Sequence, residues 1–166
     1  MKPLPSERLD PRVRNVWRIS DAIGVSLVML PLTLAFGAPY LLAATESLRR
    51  ALGVATLACL IAWAALLVVV VAVLPPIRYA RWRYELTDDY LDVAKGIVWR
   101  TRHTVPFIRV QDTDTRQGPI MRAFGLASVT VSTASDSHEI PGLTFEVAER
   151  MRDRAAELAR IAREDV

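Results

Sequence analysis

Residues 22–77 read AIGVSLVMLPLTLAFGAPYLLAA, then TESLRR, then ALGVATLACLIAWAALLVVVVAVLPPI. Ala22–Ala44 is a run of 23 residues without a charge, and Ala51–Ile77 is a run of 27. A bilayer core of about 30 Å is crossed by roughly 20 apolar residues of helix, so each run is long enough to span it. The six-residue link, Thr45 to Arg50, is charged and too short for anything but an antiparallel return. The reading is a transmembrane helical hairpin over 22–77, with spans at about 22–44 and 51–75. It is preceded by a cytoplasmic segment, 1–21, and followed by a cytoplasmic domain of 89 residues, 78–166.

The first run starts after 21 residues and is followed by a second span, which does not suit a cleavable signal peptide. The single cysteine, Cys59, lies inside the second run, so no intramolecular disulfide and no cysteine-based metal or redox motif can form. Neither run carries the series of polar side chains that a transport path needs. Asp21, at the edge of the first run, reads as a helix cap or a partner for Arg18. Pro31 and Pro39 predict kinks in the first span, and Pro75-Pro76 predicts the end of the second. Gly24, Gly37 and Gly53 are positions where the two helices could approach closely.

Charge placement fixes both topology and partner class. The chain carries 21 Lys and Arg against 18 Asp and Glu. Residues 1–21 hold five basic and three acidic groups, the link holds two and one, and the segment from Arg78 onward holds 14 of each. The excess therefore lies beside the membrane, whereas a nucleic-acid-binding domain concentrates basic charge on itself. Lys and Arg near span ends favour the cytoplasmic side. Five N-terminal basic groups with Arg78, Arg81 and Arg83 outnumber Arg49 and Arg50. Both termini are expected in the cytoplasm of a multi-pass protein of the cell (inner) membrane, with the link outside.

Asp10-Pro11 reads as a helix start, with Asp as cap and Pro at the first helical position. Val13, Val16 and Trp17 share one side of that short juxtamembrane helix. After the hairpin the period falls to two. Strands are predicted at Tyr84–Thr87, from Tyr90, over Ile97–Val105, over Ile108–Thr115, over Leu126–Thr133 and over His138–Pro141. Ile120–Phe124 makes one helical turn closed by Gly125. Phe145, Ala148, Met151, Ala155, Leu158 and Ala162 then draw one apolar stripe on a final helix capped by Thr144. The fold class is an α+β membrane protein, a two-helix hairpin followed by an antiparallel β-barrel or sandwich closed by a C-terminal amphipathic helix.

Catalysis requires convergent groups. The chain has two histidines and no HExxH, GxSxG, Walker or CxxC motif, so the reading is non-enzymatic, with no catalytic residue and no cofactor. Asp112, Asp114, Asp136 and His138 are of metal-ligating types and read as exposed polar residues of strands and turns. The candidate contact residues are Arg78, Arg81 and Arg83, a juxtamembrane cluster with Trp82, and Arg116, Gly118, Ile120, Met121 and Arg122 around Gln117–Gly125. Read structurally, the first group anchors the hairpin, while in the second the glycines shape a turn and Phe124 plugs the barrel.

Several segments together resemble the bacterial pleckstrin-homology-like (PH-like) membrane proteins of the YdbS type. They are Arg8-Leu9-Asp10-Pro11, Val16-Trp17-Arg18-Ile19, Tyr84-Glu85-Leu86, Ile108-Arg109-Val110-Gln111, Arg116-Gln117-Gly118-Pro119, Arg122-Ala123-Phe124-Gly125-Leu126, Thr133-Ala134 and Pro141-Gly142-Leu143. The resemblance covers nearly the whole chain. It implies a PH-like domain held at the membrane, often beside a larger membrane protein with several such domains, and it brings no catalytic residues. The function expected is an adaptor or subunit of a membrane protein complex. The alternative is a module that binds or senses anionic lipid at the inner leaflet. The expected partners are membrane lipids and another membrane protein, and no nucleic acid.

Overall fold

The computed structural model describes residues 5–164. They form two compact units, one of residues 17–75 and one of residues 76–164 joined by the N-terminal segment 5–16.

The first unit is the helical hairpin. Helix α1 runs Val13–Leu42 and passes Pro31 and Pro39 without a break. Helix α2 runs Glu46–Val68. It continues through a π-helical turn, Val69–Val73, into α3, Leu74–Arg81. Pro75-Pro76 therefore does not end the helix as the sequence reading had it. The two prolines occupy the first turn after the π segment, where a missing N–H and a fixed φ are tolerated. Two helices, Val13–Leu42 and Glu46–Arg81, are long and apolar enough to cross a membrane. At the link end Gly37 lies 3.6 Å from the Thr56 side chain and Gly53 lies 3.2 Å from the Tyr40 ring, measured from the Cβ each would carry. Those two glycines do permit close approach, while Gly24 faces open space. The hydroxyls of Thr33 and Thr56 donate to the carbonyls of Met29 and Leu52, which keeps them satisfied within their own helices.

The second unit is built on two three-stranded antiparallel sheets. One has the order β1 (Arg83–Leu86), β2 (Tyr90–Lys95), β3 (Thr101–Pro106). The other has the order β4 (Val110–Arg116), β5 (Leu126–Thr133), β6 (Ser137–Thr144). Among the described residues no ladder joins the two sheets into a closed barrel. A 3-10 turn, Phe107–Arg109, connects them, and the short helix α4, Pro119–Ala123, joins β4 to β5. Helix α5, Phe145–Glu164, packs on β4, β5 and the 3-10 turn. Thr144 caps α5 by accepting the Val147 N–H at 3.4 Å. Ala148, Met151, Ala155, Leu158 and Ala159 are buried, whereas Phe145 is 47 % exposed, so the stripe begins one turn later than its spacing suggested.

One strand boundary and one core position differ from expectation for identifiable reasons. Ile97–Arg100 is a loop, not the start of β3, because Gly96 turns the chain with φ +121°. Phe107 is fully buried and Phe124 only half-buried, so Phe107 fills the place given to Phe124.

The N-terminal segment belongs to this core. Glu7 and Tyr84 form an antiparallel bridge, with N–H···O distances of 3.0 and 3.1 Å. Asp10 donates its N–H to the Gly142 carbonyl at 2.9 Å. Its carboxylate accepts the Arg12 N–H at 2.8 Å, which starts the helix as the cap reading proposed. The Arg12 guanidinium beside Asp10 holds that carboxyl below its usual range. Leu9, Val13 and Val16 are buried, and Tyr79 donates its hydroxyl to the Leu9 carbonyl at 3.1 Å.

Candidate functional site

The C-terminal turn of α3 and the hairpin β2–β3 form a basic cleft. Helix α3 delivers Arg81 one turn after the last apolar residue of the hairpin, and Arg83 begins β1. Lys95 ends β2, and Arg100, Thr101 and Arg102 lead into β3. Antiparallel pairing sets Arg83 and Arg102 on either side of Ala94 and sets Lys95 opposite Thr101. With Ala80 these residues enclose a cavity of about 190 Å³. A single water needs only ~10–15 Å³ on the same measure, so there is room for a phosphate-sized group.

The charges in the cleft are held in place. Arg81 donates to the Ile97 carbonyl, which fastens the β2–β3 loop to the helix end. Arg83 folds back and donates to the carbonyls of Ala80 at 3.1 Å and Trp82 at 2.7 Å. A guanidinium on the last carbonyls of a helix also opposes the negative end of its dipole. Arg102 forms a bidentate pair with Asp92, its Nε 3.0 and 2.9 Å from the two carboxylate oxygens. Thr104 reaches the same carboxylate at 3.4 Å. Asp92 is completely buried, and this pairing is what makes a buried carboxylate tolerable. The pair offsets one positive charge and leaves Arg81, Arg83, Lys95 and Arg100 among the residues that line the cleft. Beside it, Val98 is 80 % and Trp99 is 83 % exposed at the tip of the loop.

The sequence candidates therefore separate. Arg81 and Arg83 line the cleft, and Arg78, half-buried on α3, does not. Arg116, Gly118, Ile120, Met121 and Arg122 lie outside it, around α4 on the second sheet. Gln117 ties that turn down by donating to the Leu126 carbonyl at 2.9 Å. Gly125, with φ +66°, closes it. Ile120 and Met121 are half-buried, and Arg116 and Arg122 point outward, with Arg116 only loosely placed 4.0 Å from Asp114. Sequence reasoning missed Lys95, Arg100 and Arg102. The available signal was an alternation of cations across a hairpin whose turn begins at Gly96.

Asp112 and Asp114 are exposed on β4. Asp136 and His138 do come together, with His103 as the third member of the cluster.

Residues 22–159 match the family model described as "Bacterial PH domain". Over its full length the chain is similar to the UPF0699 transmembrane protein YdbS of Bacillus subtilis (strain 168), with 35 % identity across 173 aligned positions and 100 % of both chains covered. No solved structure matches the chain. Because the match runs through the hairpin as well as the sheets, this is a bacterial membrane protein, and it belongs to the bacterial PH domain family.

Proposed function

We propose that the chain is a non-enzymatic, membrane-anchored PH-like module at the cytoplasmic face of the cell membrane. In this reading its two sheets act as a small PH-like barrel or sandwich that holds anionic lipid headgroups in the cleft. The observation that carries the reading is the cleft itself. Four cations not offset by Asp92 surround a cavity beside an exposed Val98-Trp99 tip. An aromatic ring at headgroup depth next to basic side chains suits the membrane interface. Each basic group near an anionic leaflet contributes ~1 kcal/mol. Over its whole length the segment from Arg78 onward is formally neutral. Four of its acidic groups, however, pair on α5, Glu149 and Asp153 with Arg152, and Glu157 and Glu164 with Arg160, away from the cleft.

The test uses the full chain reconstituted in vesicles of phosphatidylcholine, with and without phosphatidylglycerol. Amide exchange at residues 96–102 is expected to slow in the anionic vesicles, to recover at high salt, and to become indifferent to composition in Lys95→Glu with Arg100→Glu. Equal exchange in both vesicles, or a difference that survives the double substitution, would overturn the headgroup reading.

The second reading is the adaptor or complex subunit, with a larger relative carrying several PH-like domains as its first candidate partner. It is favoured by the Gln117–Gly125 turn, whose half-exposed Ile120 and Met121 lie between two outward arginines. Co-purification in mild detergent that is lost in Ile120→Asp with Met121→Asp would support it. A chain that stays alone in detergent and cross-links to nothing in cells would end it.

A further inference from the structure

His103 sits on β3, an outer strand of the first sheet, and His138 on β6, an outer strand of the second. Their ring centroids lie 4.9 Å apart, with the planes tilted by 41°. The Asp136 carboxylate is 3.8 Å from His138 Nε2. One ligating atom from each of the three residues falls within 4.8 Å of the other two. Ligands around a tetrahedral ion at ~2.0–2.1 Å stand somewhat closer together than this, so small rotations of the rings would close the set.

The cluster is pre-shaped by a tight turn. Asp136 donates its N–H to the Thr133 hydroxyl at 3.1 Å, and Thr133 donates its N–H to the Asp136 carbonyl at 2.8 Å. The Ser137 N–H holds one Asp136 carboxylate oxygen at 2.7 Å and leaves the other facing His138. This is the orienting contact that metal-binding carboxylates commonly have. His138 is buried, and burial shifts its imidazole below the ordinary range, the direction that leaves a nitrogen lone pair available. Lys95 and His103 act on His138 in the same direction as burial, and Asp136 opposes them.

We propose that His103, Asp136 and His138 bind one divalent transition-metal ion of the zinc, cobalt or nickel class, which links the edge of β3 to the edge of β6. Two imidazoles and one carboxylate suit those ions and not calcium or magnesium, which prefer oxygen ligands. Three protein ligands leave a coordination position for water. The ion would supply the connection between sheets that backbone pairing does not. An ion that binds only the folded chain raises its stability by mass action. The Lys95 charge, which acts on His138, works against the ion.

The test uses the full chain in mild detergent, without a polyhistidine tag, titrated with cobalt(II) and then zinc(II). One equivalent of cobalt(II) is expected to bind, to give visible d–d absorption and to raise the unfolding temperature, and zinc(II) is expected to displace it. His103→Gln and Asp136→Asn, both at exposed or half-exposed positions, should fold as the parent does without metal and bind roughly tenfold more weakly or worse. His138→Gln is informative only if it folds, so these two variants carry the test. No binding at millimolar ion, or affinities in both variants equal to the parent's, would overturn the proposal.

Discussion

Arg18 donates from its guanidinium Nε to the carbonyl oxygen of Val71, 3.0 Å away. In an α-helix that carbonyl would accept from residue 75, and in a π-turn from residue 76. Both are proline, so neither helix type can supply the N–H. Arg18 fills a vacancy that the sequence creates 53 residues further on. Within a membrane a bare carbonyl is costly, which explains why a π-turn followed by two prolines is sustained there. Removing the arginine should cost ~1–3 kcal/mol, the penalty of an acceptor left without a donor in apolar surroundings. Arg18→Ala is therefore expected to lower the denaturant midpoint of the full chain in detergent. In a Pro75→Ala background, which restores an N–H, the same substitution should cost much less. Equal costs in the two backgrounds would show that the contact does not substitute for the missing donor.

Gly142 holds the N-terminal segment against the second sheet. Its φ is +66°, and a Cβ there would meet Val13 Cγ2 at 2.2 Å. Gly142→Ala is strained twice, by backbone conformation and by collision. It should open residues 5–16 to limited proteolysis before the rest of the domain is cut. Adding Val13→Ala should restore little of the protection, since the Val13 Cβ, 2.4 Å from the added methyl, stays in place and the φ strain is untouched. A fragment beginning at Arg83 lacks Leu9, Val13 and Val16 and should expose apolar surface, so vesicle binding by such a fragment would misreport the intact domain.

How far the sequence could be read follows from the range of the forces involved. β5 was placed to the residue because its alternation and the turns on both sides are local. The hairpin was plain from hydropathy and length. The segment from Leu9 to Val16 read as a membrane anchor because a short amphipathic stretch looks the same whether it faces lipid or a sheet. Contacts distant in sequence distinguish the two, Tyr79 with Leu9 and Gly142, more than a hundred residues away, with Asp10. The cleft was half legible. Arg81 and Arg83 stood beside the span, but Lys95, Arg100 and Arg102 join them through strand pairing. Net charge summed over the domain hid that segregation. His103 was passed over for the same reason, since it meets Asp136 and His138 only across two sheets.

Asp92 and Arg102 link stability to the cleft. Losing one partner of a fully buried pair costs ~3–5 kcal/mol. The Arg102 side chain is 29 % exposed while Asp92 is fully buried, so Arg102→Ala should fall at or below the lower end of that range. Asp92→Asn keeps the shape and removes the charge. It should destabilise the domain less than Arg102→Ala and leave a fifth cation unopposed in the cleft. Thermal unfolding read beside the salt dependence of amide exchange in anionic vesicles would separate the effects. Weaker anion response in Asp92→Asn than in the parent would show that the Arg102 charge does not act on the cleft.

The orientation of the hairpin decides which leaflet the cleft can meet. Basic groups at 1–21 and at Arg78–Arg83 outnumber Arg49 and Arg50 in the link, which predicts a link outside and a domain inside. Cys59 is the only native thiol, so a Cys59→Ala chain offers a clean background. Ser47 is exposed in the first turn of α2, and Ser135 is exposed in the turn between β5 and β6. Cysteine introduced at Ser47 should react with an impermeant thiol reagent added to intact cells. Cysteine at Ser135 should react only after the cells are opened. The reverse pattern would place the cleft outside, where the attraction of the cytoplasmic leaflet cannot act on it, and the headgroup and adaptor readings would both lose their setting.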